Sequence, residues 1–86
     1  MDDTDPAYAA LQQLTAYWLA HPLAADTLDG ICQWWITDLL ISRSNVESAL
    51  NWLTQRGVVA AQHAADGRVR YRLMNPAGAT GGMTPL

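Results

Sequence analysis

The chain has 86 residues, half of them hydrophobic, and a formal net charge of −3. This length suits one small domain, and the hydrophobic share excludes a chain that is disordered throughout. Cys32 is the single cysteine, which excludes an intramolecular disulfide, and no apolar run approaches the ~18 residues of a membrane-spanning helix.

Charge is distributed unevenly along the chain. Six aspartates precede residue 42, whereas all five basic residues, which are arginines, follow it with only Glu47 and Asp66 against them. The first 41 residues therefore carry −6 and the remainder +3. Such an asymmetry predicts an anionic partner for the second half, the alternative being chance scatter of charge in a small domain.

The residue pattern does not predict an enzyme. It contains no nucleophile with a neighbouring base, no phosphate-binding glycine loop and no metal motif, because His21 and His63 lack the required spacing to Cys32. We interpret Cys32 as a small buried hydrophobic residue. No cofactor is expected. The acidic start MDDTDP predicts no signal peptide, and a cytoplasmic location without membrane contact follows.

The first predicted element is a helix. Asp5 is a suitable capping residue and Pro6 suits the first helical position, while Pro22 ends the helix at His21. Residues 1–5 are predicted to be a disordered lead. The apolar residues that share one helical face are Ala7, Ala10, Leu11, Leu14, Tyr17 and Trp18.

A second helix is predicted after the short connection LAADT, with Asp26 or Thr27 as its cap. Its apolar stripe consists of Leu28, Ile31, Cys32, Trp35 and Leu39. Trp34 points about 100° away from Trp35, so the two rings cannot both be central in one core face.

A third helix is predicted over residues 44–56. Ser44 and Glu47 form the capping-box pattern S-x-x-E, and Gly57 lies just past the end. The inner face consists of Val46, Ala49, Leu50 and Leu53, and the outer face of Ser44, Glu47, Ser48, Asn51 and Gln55. This polar outer face is either a binding surface or an ordinary solvated face.

After Gly57 the apolar period changes from 3.6 to 2, which predicts a β-hairpin. The strand VVAAQHA leads to the turn signal Asp66–Gly67 and the return strand RVRYRL. Val69, Tyr71 and Leu73 alternate in that strand with Arg68, Arg70 and Arg72, which are expected on the outer face. The glycine-rich residues 76–86 are predicted to be a disordered tail, which leaves one domain over residues 6–75.

This order of elements resembles the winged helix-turn-helix family of bacterial DNA-binding proteins over about residues 6–73. The most specific stretch is LLISRSNVESALNWLTQRGVV, continued by DGRVRYRL, which is similar to the turn, recognition helix and wing of MarR-like regulators. The matching positions are Ile41, Ser42, Ser44, Val46, Ala49, Leu50, Leu53, Gly57 and Tyr71. Two departures are Leu40, where the family usually has glycine, and a predicted second helix about one turn longer than usual.

The expected fold class is therefore α+β and mostly helical: three helices followed by a two-stranded antiparallel wing. The resemblance implies a small transcriptional regulator that binds double-stranded DNA, with helix 44–56 in the major groove and the 58–73 wing on the phosphate backbone. Arginines two residues apart on a strand are about 6.5–7 Å apart, similar to the phosphate spacing along one DNA strand. The candidate DNA-binding residues are Arg43, Ser44, Asn45, Ser48, Asn51, Gln55, Arg68, Arg70 and Arg72.

Five arginines provide few phosphate contacts, so DNA binding by this chain calls for a homodimer on two half-sites. The first helix, or Trp34 and Trp52 if they are exposed, is the expected pairing surface; core packing of both tryptophans is the alternative.

The competing function keeps the fold and changes the partner. In that interpretation the domain is a protein-interaction module without DNA binding, which suits an acidic chain with four tryptophans and no lysine.

Overall fold

A three-stranded antiparallel sheet lies against a small group of helices. The computed structural model of the protein describes residues 1–74, so the predicted tail 76–86 lies outside the described residues. The elements are α1 (Tyr8–Ala20), β1 (Ala25–Thr27), α2 (Leu28–Gly30) continued by the π-helical turn π1 (Ile31–Trp35), α3 (Arg43–Gln55), β2 (Val59–His63) and β3 (Val69–Leu73). This α+β arrangement is compatible with a winged helix without being specific to it.

The predicted two-stranded wing is wrong in its strand count, because β1 adds a third strand. The sheet order is β1-β3-β2, with Ala25 opposite Arg72 and Thr27 opposite Arg70. β3 is therefore the central strand, and its second edge is hydrogen-bonded rather than open to solvent. A three-residue strand is too short for its alternation to be recognised in the sequence.

The β2–β3 hairpin follows the prediction. Val59 lies opposite Leu73 and His63 opposite Val69. In the turn, the Gly67 N–H donates to the Ala64 carbonyl oxygen at 3.0 Å, and Gly67 has a φ of +85°. Glycine adopts this left-handed conformation without the steric cost that a Cβ brings. For this reason the Asp66–Gly67 pair correctly predicted a hairpin turn.

α1 begins at Tyr8, two residues later than predicted, after a turn in which the Asp5 carboxylate accepts a hydrogen bond from the Ala7 N–H at 2.8 Å. Residues 1–5 contain a second such turn, since Asp2 accepts from the Thr4 N–H at 3.1 Å. The Met1 side chain packs against the core.

The core lies between α1, π1, α3 and the inner face of the sheet. Its buried members are Ala10, Leu11, Leu14, Trp18, Ile31, Trp35, Val46, Ala49, Leu50, Leu53 and Val59. The Trp35 ring stacks on Tyr17 at a centroid distance of 4.1 Å and meets the Trp18 ring edge-on at 4.8 Å. Trp35 is 5% exposed and Trp34 is 69% exposed, which confirms that only one of the two adjacent rings is central.

The second helix is shorter than predicted and does not reach Leu39. It begins with Thr27 as its cap, whose Oγ1 accepts from the Gly30 N–H at 3.2 Å, and it ends at Trp35. Beyond this end, the Thr37 N–H donates to Oε1 of Gln13 on α1 at 3.0 Å. The Thr37 N–H is thus bonded to a side chain of α1, whereas in a longer helix it would donate to a carbonyl oxygen of the same helix.

The start of α3 differs from the capping-box prediction. The cap is Ser42, whose Oγ accepts from the Asn45 N–H at 3.1 Å, and the helix begins at Arg43. Ser44 is therefore inside the first turn, with its Oγ 3.2 Å from that of Ser42. The predicted Ser44–Glu47 capping box is therefore wrong, because the capping residue lies two positions earlier, at Ser42.

The end of α3 was correctly predicted from Gly57, which has a φ of +75°. The Gly57 N–H donates to the Thr54 carbonyl at 3.1 Å, and the Val58 N–H donates to the Leu53 carbonyl at 3.0 Å. This pair of bonds is the Schellman arrangement, which satisfies the last carbonyls of a helix and redirects the chain into β2.

The revised cap gives a direct test. We expect Ser42→Ala to lower the free energy of unfolding by about 0.5–2 kcal/mol, because the Asn45 N–H loses its acceptor. Ser44→Ala removes the same hydroxyl from an exposed position that caps nothing and is expected to change stability by less than about 0.5 kcal/mol. Urea unfolding followed by circular dichroism measures both, and a larger loss for Ser44→Ala would contradict the Ser42 cap.

Candidate nucleic-acid interface

A line of exposed polar side chains runs along the outer face of α3. Its members, called here the polar strip, are Ser44, Ser48, Asn51 and Gln55. Their spacing of 4, 3 and 4 residues matches the helical repeat, so the four side chains follow one another along one face. Asn45 is half-buried beside the strip, and the exposed Glu47 adds a negative charge next to it.

Two hairpin arginines share the outer face of the sheet. Arg70 lies between Thr27 and Gln62 on the neighbouring strands, and Arg72 pairs with Ala25 and Ala60. Arg70 is exposed. Arg72 is half-buried and its Nη1 donates to the Leu73 carbonyl at 3.1 Å, so this guanidinium is partly engaged by its own strand.

Arg68 lies at the hairpin tip, just before β3, and lines a cleft of about 410 Å³ together with Arg43 from the start of α3. The other lining residues are Thr27, Leu28, Asp29, Val69 and Tyr71. The hairpin tip and the N-terminal end of α3 thus open onto the same cleft. The sequence predicted both arginines as site residues but not their common cleft. It placed Arg68 on the outer face with Arg70 and Arg72, and this is wrong, because Arg68 precedes β3 and lines the cleft beside the inner-face residues Val69 and Tyr71.

Carboxylates accompany both arginines of the cleft. Nη1 of Arg43 lies 2.5 Å from Oδ1 of Asp29, and this hydrogen bond raises the pKa of Arg43. Nε of Arg68 lies 3.8 Å from Oδ2 of Asp66. All four side chains are largely exposed, and such surface pairs contribute little to stability. The pairs reduce the positive potential of the cleft, while the arginines remain able to exchange partners.

The remaining arginine, Arg56, lies at the end of α3 over the Trp52 ring, with its guanidinium carbon 4.2 Å from the ring centroid. Trp52 is half-buried and partly covered by this cation, whereas Trp34 is exposed. Of the two tryptophans expected at a pairing surface, only Trp34 is therefore freely presented.

A hydrogen-bonded turn between the second helix and α3 exposes two leucines, and sequence reasoning missed it. In this leucine turn, residues 38–41, the Leu40 N–H donates to Oδ1 of Asp38 at 2.9 Å and the Ile41 N–H donates to the Asp38 carbonyl at 3.1 Å. Leu39 is 98% exposed and Leu40 is 91% exposed. Asp38 was the available signal, since aspartate is unfavourable near a helix C-terminus and favours such turns.

An apolar groove of about 220 Å³ lies at the opposite end of α3. It is lined by Thr15, Trp18, Leu19, Leu53, Val58, Val59 and Leu73, from α1, the end of α3 and the sheet. Leu19, on the last turn of α1, is 84% exposed at this groove. The groove is suited to an apolar side chain rather than to a charged ligand.

Within residues 1–74, no three His, Cys, Asp or Glu side chains form a group that could hold a metal ion. Cys32 is half-buried against the core, and desolvation raises the pKa of its thiol. In the same part of the chain, no helix has the length and apolar character needed to cross a membrane.

Comparison with known proteins adds no family assignment. No protein-family model matches the chain, and no curated protein or solved structure matches it. The winged-helix resemblance accordingly stays a prediction that depends on the residues and geometry described above.

Proposed function

We propose that the protein binds double-stranded DNA as a small bacterial transcriptional regulator, with the polar strip of α3 in the major groove and the hairpin on the phosphate backbone. The observation that supports this most is the common cleft of Arg43 and Arg68, since it directs the hairpin tip and the start of α3 toward one ligand. Arginine suits forked contacts to phosphate, and the serine, asparagine and glutamine side chains of the strip suit hydrogen bonds to base edges.

The charge distribution calls for two chains per DNA site. Arg43 and Arg68 each face an aspartate, Glu47 lies beside the polar strip, and the whole chain carries −3. One chain therefore neutralises few phosphates, and non-specific affinity depends on that number. A homodimer doubles the contacts and matches a two-fold site with half-sites about one helical turn apart.

The test is a titration of the full chain with random-sequence duplex DNA at about 50 mM salt, repeated at rising salt. If each chain of a dimer contacts two or three phosphates, the plot of log affinity against log salt should have a slope of about −4 to −5, from about −0.9 per phosphate. Absence of binding at low salt by protein with a native circular dichroism spectrum would contradict the proposal.

The role of the polar strip is tested by Asn51→Ala. Because an asparagine that contacts a base edge contributes to sequence preference, we expect this change to reduce discrimination between DNA sequences more than it changes the salt slope. Gln12→Ala removes an exposed amide from α1 and is the matched control, expected to change neither quantity. An equal loss of affinity for every sequence would remove Asn51 from base recognition.

A second candidate function, a protein-interaction module, is favoured by the apolar side chains that the structure exposes. Leu39 and Leu40 in the leucine turn, and Trp34 in the second helix, are large hydrophobic residues presented to solvent. Adjacent exposed apolar residues such as Leu39 and Leu40 are typical of protein-binding sites. In this interpretation the arginines of the cleft dock on acidic residues of the partner, and the DNA titration shows no binding.

A further inference from the structure

We propose that the carboxylate of Asp29 competes with DNA phosphate for Arg43 and thereby lowers the affinity of the protein for DNA. This inference rests on the proposed function and adds an autoinhibitory contact to the same site. The carboxylate occupies the position of a phosphate group, and the chain in which the two side chains are paired is the form that binds DNA more weakly.

The ion pair engages the nitrogen atoms that a phosphate group would contact. Nη1 of Arg43 lies 2.5 Å from Oδ1 of Asp29, so the two groups form a direct charge-assisted hydrogen bond. This bond raises the pKa of Arg43, which therefore keeps its charge while the carboxylate neutralises it. An anion that binds the same Nη1 atom must first displace Asp29.

The starts of two helices place these side chains together. Thr27 caps the second helix through the Gly30 N–H, and this puts Asp29 in the first turn of that helix. Arg43 is the first residue of α3, directly after the Ser42 cap. Both side chains are largely exposed, so the pair opens by side-chain rotation without any change in the backbone.

The carboxylates act selectively on the arginines of the cleft. Within residues 1–74 there are two ion pairs, and they involve Arg43 and Arg68 but not the exposed Arg70. The Arg68 pair is the looser one, since its Nε is 3.8 Å from Oδ2 of Asp66 and the other oxygen of Asp66 accepts the Arg68 N–H of the turn. The stronger competitor is therefore Asp29.

The contact weakens DNA binding without preventing it. Exposed ion pairs are weak and are screened by salt, so a polyanion such as DNA can displace the carboxylate. While Asp29 is paired with Arg43, this arginine neutralises no phosphate. Because a dimer contains the pair twice, even a weak competitor has a measurable effect on affinity.

The test is Asp29→Asn, which removes the charge and keeps the shape of the side chain. Fluorescence anisotropy with random-sequence duplex at about 50 mM salt should show at least about threefold tighter binding than the wild type. The salt slope should steepen by up to about 0.9 per chain, since Arg43 gains a phosphate contact. Asp3→Asn is the matched control, because it changes the net charge equally at an exposed position that does not line the cleft, and it should stay within about twofold of the wild type.

A double-mutant cycle tests whether Asp29 acts through Arg43. When Arg43→Ala is already present, adding Asp29→Asn should increase affinity no more than Asp3→Asn does. If the wild type binds DNA, an Asp29→Asn protein that binds no more tightly than Asp3→Asn would overturn this inference and leave the proposed function in place. A gain that persists without Arg43 would also overturn it. Absence of binding by every protein, each with a native circular dichroism spectrum, would overturn both.

Discussion

Trp35→Ala is expected to lower the free energy of unfolding by about 3–5 kcal/mol. The ring is almost completely buried between Tyr17 and Trp18 of α1. Its removal therefore leaves a cavity between α1 and the second helix. Total stability of small domains is at the low end of about 5–15 kcal/mol, and a loss of this size leaves a large fraction of the chain unfolded.

Trp34→Ala is the matched control for this change. It deletes the same side chain from the neighbouring position, where the ring is mostly exposed, and is expected to change stability by less than about 1 kcal/mol. Urea unfolding should be followed by far-ultraviolet circular dichroism, because both substitutions alter tryptophan fluorescence. Similar losses in the two variants would contradict the central position of Trp35.

Replacing Arg68 and Arg70 together with alanine is expected to weaken the proposed DNA binding at about 50 mM salt at least tenfold, since hydrogen bonds to charged groups contribute about 1.5–3 kcal/mol each. The salt dependence should also become shallower by about 1.8 per chain, or about 0.9 for each lost phosphate contact. Both side chains lie outside the core, so the fold is expected to persist. Arg72 is retained because its guanidinium already bonds to the Leu73 carbonyl.

Arg56→Ala, compared with Arg70→Ala, separates a specific interface from a general effect of charge. Each change removes one positive charge, but Arg56 lies over the Trp52 ring at the far end of α3 from the cleft. Fluorescence anisotropy with labelled duplex should give a near wild-type salt slope for Arg56→Ala and a shallower one for Arg70→Ala. Equal salt slopes for the two variants would mean that the affinity for DNA depends on the net charge of the protein and not on the position of the arginine.

The inner faces of α1 and α3 were determined by the sequence itself. Leu11 and Leu14 in α1, and Val46 and Leu50 in α3, recur at helical spacing, and all four are buried as predicted. Such a face is a property of consecutive residues, because the helical repeat alone decides which side chains lie together. The hairpin was predictable for a similar reason, since period-2 alternation and a turn glycine are both local signals.

The candidate site was only partly contained in the sequence. The polar strip follows from the spacing of Ser44, Ser48, Asn51 and Gln55 within one helix, and the structure leaves all four exposed. The pairing of Arg43 with Asp29 joins residues 14 positions apart, and no local pattern indicates it. The charge of the cleft is therefore lower than the count of arginines suggested.

Tertiary contacts decided the remaining features. β1 exists because β3 offers a second edge to residues 25–27, and the second helix ends early where Gln13 of α1 bonds the Thr37 N–H. Ser42 and Ser44 were both suitable N-terminal caps for α3 by residue type, and in the structure Ser42 is the cap. In each case the local signal was weak or divided. The outcome depended on a hydrogen-bond partner or a packing surface that only the folded chain brings within reach.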